Sequence, residues 1–176
     1  MAVRLAIWMF CKPKRRKPRP EEVQILRTAG RRTLKNGRQK LIVHSWGDGP
    51  LVILHHGWSG SAAQMSPLAD RLASAGFRVA VVDARGHGES PGLQATLPWM
   101  GGDLYEIGRQ LGPVYALVGH SMGAMMCARA MQLGLECERV VMIAAPAEIM
   151  PYLRFFQRVF GISDATVDGM VAVLHE

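Results

Sequence analysis

Cysteine is scarce in this 176-residue sequence, which contains three cysteines. An odd number of cysteines, without the close spacing of a zinc site, argues against a disulfide framework and against a structural metal centre. We therefore expect no metal site and a reducing, cytoplasmic location. Cys127 and Cys137 are best explained as small apolar core residues.

Long apolar runs are also missing. The apolar run near the N-terminus, residues 5–10, is too short to cross a bilayer. It is also too short for the core of a signal peptide, and the basic block at residues 12–19 lies on the wrong side of it. The sequence therefore indicates neither a membrane protein nor a secretion signal of the usual form.

Acidic residues are absent from residues 1–20, which carry seven Lys and Arg residues. The other 14 Lys and Arg residues equal the 14 Asp and Glu residues in number, so the net charge of +7 belongs to a basic N-terminal arm. A solvated arm is the simplest interpretation. A peripheral membrane anchor through Trp8 and Phe10 is the alternative. Nucleic-acid binding is not expected, because no aromatic residues interleave the basic block.

Apolar strands alternate with helical segments along the rest of the chain. The predicted strands are residues 40–45, 51–55, 77–82, 114–118 and 139–144, and the predicted helices include residues 21–32, 62–75 and 122–133. Asn36-Gly37 predicts a hairpin turn between a weak strand at Thr33-Leu34 and the first of these strands. Alternation of this kind is typical of an α/β fold with a mostly parallel sheet.

A serine lies between two glycines where the strand at 114–118 meets the helix at 122–133. Gly119-x-Ser121-x-Gly123 has the spacing of a nucleophile elbow, in which a sharp strand-to-helix turn exposes the serine hydroxyl. The Met122 amide, at the helix N-terminus, would point to the same place. The alternative is an ordinary glycine-flanked serine in a turn, because a five-residue pattern is weak evidence by itself.

Two further motifs stand at the ends of predicted strands. His56-Gly57 follows the strand at 51–55, and Asp83-x-Arg85-Gly86-x-Gly88-x-Ser90 follows the strand at 77–82. With the elbow, and in the same order, they resemble the strand-end motifs of the α/β-hydrolase family. The resemblance covers residues 33–146. It implies a mostly parallel, doubly wound sheet of the α/β-hydrolase type, with the core over residues 21–146.

The resemblance also implies the site residues. Ser121 would be the nucleophile, and the backbone amides of Trp58 and Met122 would form the oxyanion hole. The elbow and loop glycines would be Gly57, Gly119 and Gly123. The implied reaction is hydrolysis of a small-molecule carboxylic ester through an acyl-enzyme, which needs no cofactor. The alternative is a non-catalytic pseudo-enzyme or binding protein on the same fold.

Histidine is nearly absent after Ser121. The family's acid and histidine follow its seventh and eighth strands, and His175 is the one histidine downstream of Ser121. Glu148 stands where a minority of family members carry the acid. We therefore expect a fragment that is truncated after the sixth strand, lacks the catalytic acid and histidine and is inactive by itself. Residues 147–176 would begin a helical cap, and the sixth strand would form an exposed edge.

The remaining titratable side chains near these motifs have structural interpretations. Because the family's order is nucleophile, acid, histidine, no histidine upstream of Ser121 is expected to be the base. These residues are His55, His56, His87 and His120. Asp83 is expected to brace the glycine-rich turn.

Overall fold

The computed structural model describes residues 1–174, which form two compact units. The larger unit comprises residues 13–145, and the smaller comprises residues 1–12 together with the chain from residue 146 onward. This division differs from the predicted one. The predicted arm is split, because its first part is a helix, α1 (Ala2–Phe10), in the smaller unit, and residues 13–20 belong to the larger unit.

A six-stranded sheet forms the centre of the larger unit. Its strands are β1 (Gly30–Asn36), β2 (Gln39–Trp46), β3 (Leu51–His55), β4 (Arg78–Asp83), β5 (Val114–His120) and β6 (Cys137–Ile143). Their spatial order is β1-β2-β4-β3-β5-β6. The β1–β2 and β2–β4 pairs are antiparallel, and the pairs among β4, β3, β5 and β6 are parallel. The mostly parallel sheet that the sequence predicts is confirmed.

Four helices of the larger unit flank the sheet. They are α2 (Pro20–Leu26), α3 (Ala62–Ser74), α4 (Leu97–Leu111) and α5 (Met122–Gln132). Helix α3 packs with α2 and β4, and α5 packs with α4 and β5. Leu54 of β3 packs in the same cluster as Met65 of α3. Because successive side chains of a strand point to opposite faces, Ile53 lies on the other face of the sheet. Ile53 is fully buried, so both faces of the central strands are covered.

The N-terminal part of the larger unit differs from the predicted helix at residues 21–32. Helix α2 ends at Leu26, and Gly30 already pairs with Ser45 of β2. The hairpin turn at Asn36-Gly37 is confirmed, with Gly37 at φ +55°. Since β1 is an exposed edge strand that carries Arg31 and Arg32, it lacks the apolar pattern by which a buried strand is predicted.

The other edge of the sheet is β6, as expected for a sixth strand without a further neighbour. Its side chains Val140, Val141, Met142 and Ile143 are each 40–48% exposed. Within residues 1–174, β6 pairs with β5 alone. An apolar strand therefore lies open along one side.

Three helices make up the described part of the smaller unit. They are α1, α6 (Met150–Phe160) and α7 (Asp164–Leu174). Ala6 of α1 packs in one cluster with Leu153, Phe156 and Met170. The ring of Phe10 lies edge-on to Phe156, with centroids 5.2 Å apart. Helix α1 is therefore a packed element, and Phe10 is engaged inside the unit.

No helix within residues 1–174 combines the length and the apolar character needed to cross a membrane.

Candidate active site

Ser121 lies at the sharp turn between β5 and α5. Its backbone has φ +51° and ψ −123°, a conformation that residues with a Cβ rarely adopt. The turn is fixed by two backbone hydrogen bonds: the Ser121 amide donates to the Ile143 carbonyl (2.8 Å), and the Ala124 amide donates to the Ser121 carbonyl (2.9 Å). Such strain persists only where the surroundings impose it, and it is typical of functional sites.

The two glycines of the elbow are required by close backbone packing. A Cβ on Gly119 would lie 2.4 Å from Ala124 Cα, and a Cβ on Gly123 would lie 2.2 Å from the His55 carbonyl oxygen. Both neighbours are backbone atoms, which cannot move aside without distorting the sheet. The G-x-S-x-G spacing is therefore a packing requirement of this turn.

The backbone amide of Met122 begins helix α5 directly after Ser121. The first amides of a helix have no intrahelical acceptor, and they lie at the positive end of the helix dipole. A negatively charged oxygen formed near Ser121 would meet this amide.

The loop at residues 57–60 lies next to the elbow. It is a tight turn in which the Gly60 amide donates to the Gly57 carbonyl (3.0 Å) and Ser59 has φ +59°. A Cβ on Gly57 would lie 3.0 Å from the Ser121 Cβ. The loop that carries Trp58 and the turn that carries Ser121 are thus brought together.

His56 braces this loop. Its Nε2 accepts a hydrogen bond from the Ala84 amide (3.1 Å), so Nε2 carries no proton, and Nδ1–H donates to the Gly57 carbonyl (2.7 Å). Complete burial, with smaller contributions from His55 and His87, lowers the pKa of His56 to about 3. The ring is therefore neutral, and it ties the loop to the end of β4.

His55 and His87 are also buried, neutral and engaged with the backbone. His55 Nδ1 donates to the His56 carbonyl (3.0 Å), and burial lowers the pKa of His55 to about 4. His87 Nδ1 donates to the Arg85 carbonyl (2.9 Å), and burial lowers the pKa of His87 as well. The His87 ring contacts the Trp58 ring edge-on at 5.3 Å. These histidines support the loop, a role that the sequence analysis did not assign.

Asp83 is committed to the glycine-rich turn. Oδ1 accepts the Ala62 amide (2.6 Å) and Oδ2 accepts the Glu89 amide (2.9 Å). Burial alone would raise the pKa of Asp83, but the nearby His44 ring and the two amides lower it overall. Both oxygens of the carboxylate are thus used in bracing the turn, as expected.

No described residue supplies a base for Ser121. Among residues 1–174, the Ser121 hydroxyl has no hydrogen-bond partner. His175 lies outside the described residues, and Glu148 belongs to the smaller unit. Within residues 1–174, the buried Nδ1 of His120 has no hydrogen-bond partner. His120 lines a cavity of about 240 Å³ with Gln64, Met65, Leu68 and Ile143, and Ser121 does not contribute to that cavity.

No group of three or more His, Cys, Asp or Glu side chains within residues 1–174 could hold a metal ion. Burial, with a smaller effect of Cys137, raises the pKa of the Cys127 thiol to about 12, so that it stays protonated.

Known proteins share this architecture. The chain is 39% identical over 105 residues to sn-1-specific diacylglycerol lipase ABHD11 from Mus musculus. The matched region covers 58% of this chain and 33% of that protein. It is 38% identical over 98 residues to the putative carbamate hydrolase RutD from Variovorax paradoxus, over 53% of this chain and 36% of that protein. The crystal structure of epoxide hydrolase VrEH1 from Vigna radiata superposes with a TM-score of 0.63 at 24% identity. That match covers 70% of this chain and 42% of the other.

The matches to the two curated relatives each span about a third of the relative's length. Residues 50–175 match the model of the family described as alpha/beta hydrolase fold. Since this match includes both loops of the site and covers most of the sequence, the chain belongs to the α/β-hydrolase fold family.

Proposed function

We propose that this protein is a serine hydrolase that acts on a small-molecule carboxylic ester. The Ser121 oxygen bonds to the ester carbonyl carbon, and the resulting oxyanion is held by the amides of Trp58 and Met122. Collapse of this intermediate breaks the ester C–O bond, the departing alcohol takes up the proton that the Ser121 hydroxyl loses, and the acyl-enzyme that remains is hydrolysed by water to release the acid. The observation that carries the proposal is the strained Ser121 backbone with Gly57 packed directly against it.

The ester assignment draws support from the names of the relatives. Diacylglycerols are esters, and esters and carbamates alike contain a carbonyl carbon bonded to a leaving group. A tetrahedral intermediate at that carbon requires oxyanion donors beside the nucleophile. The structural similarity to epoxide hydrolase VrEH1, at 24% sequence identity, supports the fold and not the substrate.

The rate of the described site is limited by the unassisted hydroxyl. A serine without a general base stays protonated, and oxyanion stabilisation alone leaves on the order of 10³–10⁴-fold over water. We therefore expect this chain to hydrolyse esters far more slowly than a complete triad does. His175 is the one downstream histidine that could change this expectation.

A non-catalytic protein on the same fold is the second candidate. It is favoured by the absence of a hydrogen-bond partner for the Ser121 hydroxyl within residues 1–174. It is also favoured by the neutral, backbone-bound state of His55, His56 and His87. In such a protein the elbow would be retained for packing alone.

Hydrolysis of p-nitrophenyl acetate by the full chain separates the two candidates. The serine hydrolase predicts slow release of p-nitrophenol that disappears in Ser121→Ala and persists in Ser74→Ala, a change at an exposed serine on α3. Equal rates in the wild type and in Ser121→Ala would contradict it. Turnover as fast as that of a complete triad would show that a base has been missed.

A further inference from the structure

We propose that residues 13–16 form a strap that fixes the conformation of the loop at residues 57–60, and that Arg15 is its positioning residue. The inference rests on the proposed function in one respect, because that function gives the loop its catalytic importance. The contacts themselves do not depend on the reaction.

Arg15 joins the strap to the glycine-rich turn after β4. Its guanidinium donates hydrogen bonds to the carbonyl oxygens of Gly88, Ser90 (2.8 Å) and Gly92 (3.5 Å). Arginine suits this role because its planar fork presents several donors in a fixed geometry. One cationic side chain thus gathers three carbonyl groups that lie within five residues of one another.

The strap reaches the loop at residues 57–60 directly. The Lys14 backbone amide donates to the Ser59 hydroxyl (3.1 Å), and Ser59 is the residue with positive φ next to Trp58. Pro13 is buried, and a Cβ on Gly86 would lie 3.3 Å from its Cγ atom. Adjacent residues of the strap therefore contact both the loop and the turn.

The turn and the loop are also coupled to each other. His87, within the turn, presents its buried ring to Trp58 (5.3 Å between centroids) and to His56 (5.1 Å). The Ala84 amide at the start of the turn is held by His56 Nε2. Because Arg15 fixes the position of the turn, it also limits the movement of Trp58.

The strap is anchored beyond Arg15 as well. Arg16 forms an ion pair with the buried Glu22 of α2, and the same carboxylate oxygen accepts the Arg19 amide (2.8 Å). The Glu22 carbonyl accepts the hydroxyl of Ser66 in α3 (3.2 Å). The strap is thus held at both ends, and its two arginine side chains have partners within the larger unit.

Hydrogen–deuterium exchange of the full chain tests this inference. In Arg15→Ala, peptides covering residues 56–61 and 84–92 should exchange roughly tenfold faster, the loss expected when charge-assisted hydrogen bonds are removed. Peptides from β3 and β5 should be unchanged. Lys17→Ala is the matched control, since Lys17 is an exposed cation two residues away whose side chain makes no hydrogen bond or ion pair among the described residues.

A chemical rescue excludes a general loss of stability. Adding about 20 mM guanidinium chloride, far below the molar concentrations that unfold proteins, should slow exchange in Arg15→Ala towards the wild-type rate, whereas sodium chloride should not. Unchanged exchange at residues 56–61 in Arg15→Ala, or faster exchange throughout the sheet, would overturn the inference. The reactivity of Ser121 is measured in a separate assay. An unreactive Ser121 in a chain whose residues 56–61 exchange slowly would contradict the proposed function and leave the inference about the strap intact.

Discussion

Gly57 packs against Ser121 so closely that a Cβ added to Gly57 would lie 3.0 Å from the Ser121 Cβ and 3.3 Å from the His120 carbonyl oxygen. Two segments that are 64 residues apart in the sequence therefore meet at van der Waals distance. The space beside the serine hydroxyl is defined by the absence of a side chain at residue 57.

Replacing Gly57 with valine should block this space. The added methyl groups would displace the loop and move the Trp58 amide, and loss of one oxyanion donor costs roughly 10²–10³-fold in rate. We expect Ser121-dependent hydrolysis of p-nitrophenyl acetate to fall by about that factor in Gly57→Val. The melting temperature should change little, because φ of Gly57 is not positive. An unaltered rate would remove the Trp58 amide from the oxyanion hole.

Substitution of the elbow glycine, Gly123, should lower the stability of the fold more than substitution of Gly57 does. Alanine at residue 123 would place its Cβ 2.2 Å and 2.6 Å from the backbone carbonyl oxygens of His55, the last residue of β3, and His56, the residue that follows it. Overpacking against a rigid neighbour costs on the order of 1–3 kcal/mol or more. We expect a large loss of stability in urea unfolding of Gly123→Ala.

Gly102 provides the matched control for this substitution. It lies within α4, and a Cβ there would meet no atom within 4 Å. Gly102→Ala should stabilise the chain slightly, by up to about 1 kcal/mol from helix propensity. Equal unfolding midpoints for the two variants would contradict the packing account of the elbow.

Acid should destabilise the fold through its buried histidines. The folded-state pKa values of His55 (about 4) and His56 (about 3) lie below the ordinary 6.5, so the unfolded chain binds protons first as the pH falls. The stability due to the neutral rings is complete above pH 6.5 and is lost as the pH falls towards 4 and 3. At pH 5 the loss is on the order of 2 kcal/mol for each histidine.

Urea unfolding at pH 7.5 and pH 5.0 measures this effect. The midpoint should be lower at pH 5.0, and the difference should shrink in His55→Asn, whose amide can donate to the His56 carbonyl but does not titrate. Equal midpoints at the two pH values in the wild type would mean that the histidines are not buried as described.

Self-association should occur through β6. The Ile143 carbonyl is used by the Ser121 amide towards β5, so by alternation the backbone groups of Val140 and Met142 point away from the sheet. Apolar edge strands with open hydrogen-bonding groups pair with other chains. We expect light scattering to show oligomers of the wild type.

Two lysines on this edge should reverse the association. Val140→Lys with Met142→Lys introduces charges that oppose strand pairing, and the double variant should elute as a monomer. Val173→Lys, at an exposed valine of α7, serves as the control and should still associate. A wild type that is monomeric from the outset would contradict this prediction.

The fold of the central strands could be predicted because burial on both faces leaves continuous apolar runs, as in Leu51–His55. The placement of Gly57 beside Ser121 could be predicted because carboxyl ends of parallel strands meet at one edge of the sheet. The start of β1 at Gly30 could not be predicted, because an exposed edge strand contains few apolar residues.

Interactions between segments that are distant in the sequence could not be predicted from local sequence patterns. Helix α1 is stabilised by Leu153 and Phe156, about 150 residues away, so its local sequence resembles an arm. The hydrogen bonds of His56 depend on how β3 meets the end of β4. Arg15 is not part of a sequence motif, and its proposed role depends on three backbone carbonyls of the glycine-rich turn after β4.

The most direct test of Ser121 as the nucleophile is covalent capture by a fluorophosphonate, followed by peptide mass spectrometry. The phosphorus bonds to the attacking serine oxygen and fluoride leaves, and the adduct's oxygen occupies the position of the oxyanion. Because the hydroxyl has no general base among the described residues, we expect one adduct to form slowly on Ser121, to be absent in Ser121→Ala and to be retained in Ser74→Ala. Absence of an adduct at Ser121, or adducts of equal yield on other serines, would contradict the account.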